Sequence, residues 1–127
     1  MTNSAPGTPP SKLKDRDVLV VEDEELIASV IEEMLRELGC RQVWIASTAK
    51  DASNLLAQHR PHIVVLDVNL RGDSGFLFAQ ALAEADIPFV FASGYGRAAL
   101  PGEWASRPLI QKPFKLEALA AALSSLL

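Results

Sequence analysis

The sequence predicts an α/β fold, with one parallel sheet covered by helices on both faces. Two observations carry this. Short apolar runs rich in Val and Ile, such as Val18 to Val21 and Ile63 to Leu66, have the composition of strands buried on both faces. These runs alternate with amphipathic helical stretches, and strands alternating with helices of this length argue for βα units and a parallel sheet. A third feature concerns chemistry. Both runs end abruptly in acid, the first in Glu22-Asp23 and the second in Asp67. An acid just after a buried parallel strand lies at the carboxyl edge of the sheet, where open α/β folds place their ligand sites.

The elements follow in order. After the first strand, Leu26, Ile27, Val30, Ile31, Met34, Leu35 and Leu38 recur at helical spacing, which predicts a helix from about Glu24 to Leu38 with Gly39 as its left-handed cap. A second strand covers about Gln42 to Ala46. Thr48-Ala49-Lys50-Asp51 resembles a capping box and opens a helix to about Gln58. Pro61 separates this helix from the third strand, Ile63 to Leu66. Arg71 to Gly75 reads as a loop with two glycines, and Phe76 to about Glu84 as a third helix. Phe89 to Ala92 is the fourth strand, Leu109 to Gln111 a weaker fifth, and Leu116 to Leu126 the last helix. Between the last two strands a helix is expected, yet Gly96, Pro101, Gly102 and Pro108 oppose a long one. At most a turn or two with mobile flanks is expected there, with Trp104 exposed or on a partner surface.

At 127 residues the chain reads as one domain, residues 15–127, behind a Pro-rich tail, residues 1–14, expected to be disordered. The net charge of −4 and the absence of a Lys/Arg block give no reason to expect nucleic acid. No apolar stretch approaches membrane-spanning length, and the first ten residues lack the features of a signal peptide. The single cysteine, Cys40, rules out an internal disulfide and fits a reducing cytosol, so a cytoplasmic location is expected.

In a parallel sheet Glu22, Asp23, Asp67, Ser93 and Lys112 would all lie at one edge. Three carboxylates brought close repel, and hard oxygen ligands suit Mg²⁺. A carboxylate can also act as a nucleophile toward phosphorus. A cation and a lysine are the expected stabilisers of a transferring phosphoryl group, and a hydroxyl can hydrogen-bond it on arrival.

This set resembles the receiver domain of two-component response regulators. The residues that carry the likeness are Glu22-Asp23, Asp67 in Val65-Leu66-Asp67-Val68-Asn69-Leu70, Ser93-Gly94 and Lys112-Pro113-Phe114, over about Asp17 to Leu127. The spacings fit too: Asp23 to Asp67 is 44 residues, Asp67 to Ser93 is 26, and Ser93 to Lys112 is 19. The resemblance implies a flavodoxin-like (βα)5 doubly wound sheet of five parallel strands, order 2-1-3-4-5, with a short or irregular fourth helix. It implies Asp67 as phosphoacceptor, and Mg²⁺ held by Glu22, Asp23, Asp67 and the backbone carbonyl of Asn69. It further implies Ser93 as switch hydroxyl, Lys112 as phosphoryl partner, and a cis peptide between Lys112 and Pro113.

A narrower likeness lies in Pro88-Phe89-Val90-Phe91-Ala92-Ser93-Gly94-Tyr95-Gly96, which is similar to the motif of the "FATGUY" single-domain receivers of α-proteobacteria. Those typically carry threonine at the position of Ser93. They are associated with HWE/HisKA2-type sensor kinases and general stress signalling. One departure stands out: the position three before the lysine, aromatic in typical receivers, is Leu109, and Tyr95 is the candidate substitute.

Each residue also has a plainer reading. Glu22 to Glu25 alone would be the acidic first turn of a helix, and Ser93 alone a turn residue. Lys112 alone would be a solvated lysine. His59 and His62 are read as structural, Trp44 as core or half-buried, and Cys40 as chemically silent. Taken together, the acids and the lysine favour a metal site.

The expected function is therefore a single-domain response regulator, a switch rather than an enzyme. It would be phosphorylated by a sensor histidine kinase or histidine phosphotransferase, and would signal by binding an unidentified effector protein. The chain as given leaves no room for an output domain, and the segment from Gly96 to Pro108 is the candidate for ordering on phosphorylation. The alternatives are a phosphate sink or phosphorelay intermediate, a constitutive adaptor, and a small phosphatase of the aspartyl-nucleophile kind. The phosphatase would want a second acid where Asn69 stands.

Overall fold

The computed structural model of the chain describes residues 12–70, 73–95 and 100–127. Among these residues seven strands and four helices follow one another: β1 Asp17–Val21, α1 Glu25–Glu37, β2 Gln42–Ala46, α2 Ala49–Gln58, β3 Ile63–Asp67, β4 Asn69–Leu70, β5 Asp73–Ser74, α3 Gly75–Glu84, β6 Phe89–Ser93, β7 Leu109–Gln111 and α4 Leu116–Ser124. Among the described residues a 3-10 turn, Gly102–Trp104, lies between β6 and β7. The main sheet is parallel throughout, in the order β2-β1-β3-β6-β7. Counting only its own strands, this is the expected 2-1-3-4-5.

The three central strands are buried on both faces, as their apolar runs require. Alternate side chains feed two cores. Leu19, Val64, Leu66, Phe89 and Phe91 pack on the side of α2 and α3. Val18, Val20, Val65 and Val90 pack with Ile31 and Leu35 of α1 and with Leu119 and Leu123 of α4.

Local signals in the sequence act where expected. Thr48 caps α2, its hydroxyl accepting the Asp51 backbone N–H at 3.0 Å. Gly39, at φ +94°, ends α1 in the left-handed region that glycine tolerates best. His62 and His59 are structural: the His62 Nδ1 accepts the Asp17 backbone N–H at 2.9 Å, and the His59 ring stacks on half-buried Trp44 with centroids 4.6 Å apart. Arg41 forks onto Asp17, and this hydrogen bond holds the Asp17 carboxyl below the usual carboxylate range. Burial pushes the Cys40 thiol up to about 11, which keeps it protonated and inert.

Three expectations are corrected. Trp104 is neither exposed nor on a partner surface but buried, because Phe76, Phe89 and Phe91 surround its indole. The tail does not reach Lys14: Leu13 is fully buried beside Val18, Ile31 and Leu35, and Lys12 to Asp15 form a turn. Residues 1–11 lie outside the described residues. The loop after Asp67 is in part a two-stranded antiparallel hairpin, β4 with β5, closed through positions 71 and 72, which are not described. In the irregular segment the 3-10 turn is the short helical piece expected. Residues 96–99 fall outside the described set, while Leu100 and Trp104 join the core.

Candidate functional site

The parallel register brings the expected residues to one edge. β1 pairs Val21 with Leu66 of β3, so Glu22 and Asp67 are the next residues along adjacent strands. β3 pairs Asp67 with Ala92 of β6, and β6 pairs Ser93 with Gln111 of β7, which puts Ser93 and Lys112 on the same rim. Backbone hydrogen bonds fix the rim. The Glu22 N–H donates to the Ala46 carbonyl at 2.9 Å, Val68 N–H to the Ala92 carbonyl at 3.0 Å, and Lys112 N–H to the Ser93 carbonyl at 2.8 Å. The Lys112–Pro113 peptide is cis.

One carboxylate oxygen each from Glu22, Asp23 and Asp67 lies within 4.8 Å of the others. Glu22 and Asp67 are buried, and Asp23 is partly exposed. The Lys112 ammonium reaches in from the end of β7 on the same rim, donating to Glu22 Oε1 at 2.6 Å and lying 3.4 Å from Asp67 Oδ1. Backbone amides complete the frame: Glu24 N–H donates to Glu22 Oε2 at 3.2 Å and Asn69 N–H to Asp67 Oδ1 at 3.1 Å. Ser93 is buried, and its Oγ accepts the Tyr95 backbone N–H at 3.0 Å. The hydroxyl keeps its own proton for donation.

The electrostatics are those of a crowded, half-neutralised cluster. Burial pushes the Glu22 and Asp67 carboxyls up; the Lys112 ammonium pulls both partly back, and Asp67 repulsion adds to the rise at Glu22. Burial acts to lower Lys112, but its hydrogen bond to Glu22 and the two negative charges outweigh that and raise it. Three acids against one lysine leave a formal charge of about −2 in a pocket of low polarity. That donor set, all hard oxygen, fits a divalent cation such as Mg²⁺.

Two expected residues take no direct part among the described contacts. Leu109 is half-buried against the aromatic core, and Tyr95 is 76 % exposed, outside the buried cluster. One residue that matters escaped the sequence reading. Gly75 opens α3 with its N–H toward the Val68 carbonyl at 3.3 Å, and a Cβ there would sit 2.5 Å from the Asp67 carbonyl oxygen. Only glycine lets the helix start so close to the acid's backbone. The local signal was the Asp73-Ser74-Gly75 run just before the apolar helix.

Comparison with known proteins identifies the family. The family model described as "Response regulator receiver domain" matches residues 18–124. The phyllosphere-induced regulator PhyR of Methylorubrum extorquens is 31% identical over 87% of this chain, which spans 43% of that protein. In general the chain spans about half the length of the curated relatives it matches. The solution structure of SdrG from Sphingomonas melonis Fr1 is 38% identical with a TM-score of 0.78, over 87% of this chain and 95% of SdrG. A structure titled the PhyR stress response regulator gives a TM-score of 0.76 at 32% identity, over 91% of this chain and 46% of that one.

Proposed function

Because the chain belongs to the response regulator receiver family of two-component signalling, we propose that it is a Mg²⁺-dependent phosphoacceptor switch whose acceptor is Asp67. The observation that carries this is the convergence of Glu22, Asp23 and Asp67 within 4.8 Å, with the Lys112 ammonium bridging Glu22 and Asp67. Glu22, Asp23, Asp67 and the Asn69 backbone carbonyl would hold the cation. When bound, magnesium supplies positive charge opposite the transferring phosphoryl oxygens.

The chain's own groups do the rest. An Asp67 carboxylate oxygen forms the new bond to phosphorus, while the bond from phosphorus to the donor's imidazole nitrogen breaks and its electron pair stays on that nitrogen. The Asn69 N–H and the Lys112 ammonium orient the Asp67 carboxylate through Oδ1. Lys112 then faces the added negative charge, and the Ser93 hydroxyl, buried at the same rim, donates to a phosphoryl oxygen. The phosphoryl group brings about −1.5 to −2 charge, which biases the Ser93 and Lys112 loops toward a second arrangement.

The donor is a sensor histidine kinase, of HWE/HisKA2 type, or a histidine phosphotransferase. The signal leaves by phosphorylation-dependent binding to an effector protein in the cytoplasm, in general stress signalling. Likeness to a PhyR stress response regulator supports the stress-signalling part of this reading. Among the described residues, no helix is long and apolar enough to cross a membrane.

Incubation with Mg²⁺ and acetyl phosphate, followed by intact mass, tests the chemistry. A phosphate-sized gain that Asp67→Asn abolishes is expected. No gain in the parent chain, or an equal gain in the variant, would overturn the assignment.

A further inference from the structure

The typical receiver aromatic is missing at Leu109, and the structure shows where aromatic mass has gone instead. Trp104 is buried in the 3-10 turn between β6 and β7. Its indole stacks on Phe76, with centroids 6.2 Å apart at 20°, and meets Phe91 edge-on at 5.8 Å. These two partners lead to the two segments that frame the site. Phe76 follows Gly75, whose backbone abuts the Asp67 carbonyl with no room for a Cβ. Phe91 lies two residues before Ser93 on β6. The Phe76 and Phe91 rings also touch each other, 5.5 Å apart at 61°. The Arg107 guanidinium lies over the Trp104 ring at 5.6 Å and over Phe89 at 5.0 Å, a further contact that holds the indole. Leu109 pairs with Phe91 across the sheet and packs against this same core.

We propose that Trp104 is a positioning residue for the phosphoacceptor site, acting through Phe76 on the Asp67 loop and through Phe91 on Ser93. This rests on Asp67 being the phosphoacceptor. The physical reason is rigidity. Packed cores shift between discrete arrangements rather than deform smoothly. The Gly75–Phe76 corner has no free space against the Asp67 backbone, so a movement of either is felt by the other. The indole couples that corner to β6 with flat, directional contacts. The 3-10 turn thereby senses the state of the site, in the chain position where other receivers keep a helix.

The test uses the full chain. Trp44→Phe leaves Trp104 as the only tryptophan. Saturating Mg²⁺ with beryllofluoride, a phosphoryl mimic, should then shift or quench the Trp104 emission, and Asp67→Asn in the same background should abolish the response. In parallel, labelling by acetyl phosphate is followed by intact mass. Trp104→Ala is expected to slow labelling at saturating donor about tenfold, the scale of a slightly misplaced reacting group, with little change in the donor concentration for half-maximal rate. Trp104→Phe should restore most of the rate. The proposal is overturned if Trp104 emission is unmoved while Trp44→Phe takes up phosphate, or if folded Trp104→Ala is labelled at the parent rate. Should Trp104→Ala not fold, Trp104→Leu and the emission experiment decide in the same terms. Failure of the parent itself to gain phosphate strikes the phosphoacceptor assignment instead, so the two failures are distinct.

Discussion

Replacing Asp67 by Asn should make the metal-free protein more stable, although it removes the proposed phosphoacceptor. The magnitude follows from the cluster. At an effective dielectric of about 20, two unit charges at the 4.8 Å limit separating these carboxylate oxygens interact by about 3.5 kcal/mol. Asp67 feels that repulsion in full from buried Glu22, and less from Asp23, whose exposure screens it to about 1–2 kcal/mol. The Lys112 ammonium at 3.4 Å returns about 5 kcal/mol on the same scale. The Coulomb terms therefore roughly cancel, and the cost of burying a carboxylate remains. The upward displacement of the Asp67 pKa, led by burial, has the same sign. An amide of the same shape keeps the acceptor for the Asn69 N–H and drops that cost, worth about 1–3 kcal/mol. For a chain of this length that raises Tm by roughly 4–12 °C. Differential scanning fluorimetry in EDTA and in saturating Mg²⁺ measures it. In EDTA the variant should melt higher; in Mg²⁺ the parent should close the gap, because a cation bound only to the folded state stabilises it. A variant melting at or below the parent in EDTA, or an equal Mg²⁺ shift in both chains, would refute the reasoning.

Other perturbations read other parts of the same structure. Gly75→Ala puts a Cβ 2.5 Å from the Asp67 carbonyl, and should cost about 1–3 kcal/mol and suppress phosphate uptake in the acetyl phosphate assay. The pH dependence of metal-free stability has a definite sign. Glu22 and Asp67 sit above their ordinary 4.5 and 3.8, so their penalty is present when both are ionised and is relieved as pH falls through the raised values toward the ordinary ones. Chemical denaturation in EDTA should therefore show stability rising on mild acidification, an effect weakened in Glu22→Gln. Asp17, held below its ordinary 3.8 chiefly by the Arg41 hydrogen bond, gives the opposite trend, with its contribution lost only as pH falls below about that value. Thr48→Ala removes the cap on α2 and should cost about 1 kcal/mol in denaturant midpoint analysis, without changing phosphate uptake.

What could be read from the chain follows from how locally each feature is encoded. Strands buried on both faces need no partner to declare themselves; Val18 to Val21 and Ile63 to Leu66 are apolar whatever lies beside them. The acids after them inherit their place from the strand ends, so the clustering of Glu22, Asp23 and Asp67 was legible once the strands were parallel. Three features depended on contacts between distant residues. Trp104 stands among Gly, Pro and charged neighbours, and only Phe76, Phe89 and Phe91 bury it. Leu13 precedes the first strand in a polar stretch, and its burial comes from α1 and the strands above it. Gly75 looked like one more loop glycine, because its need to lack a Cβ arises from the Asp67 carbonyl folded against it. The β4–β5 hairpin is too short for any periodic pattern to mark it.

The position of Lys112 ties these points together. One ammonium answers three acids, and it lies closer to Glu22, at 2.6 Å, than to Asp67, at 3.4 Å. The buried Glu22–Lys112 pair is thus the settled part of the cluster, while Asp67 keeps the least compensated buried charge. A carboxylate in that state gains from any positive charge brought to it. The stability given up at this rim is offset by the two apolar cores on either face of the sheet. Because β1 and β3 pair in parallel register up to Val21 and Leu66, Glu22 and Asp67 are held side by side and cannot drift apart to relieve their repulsion.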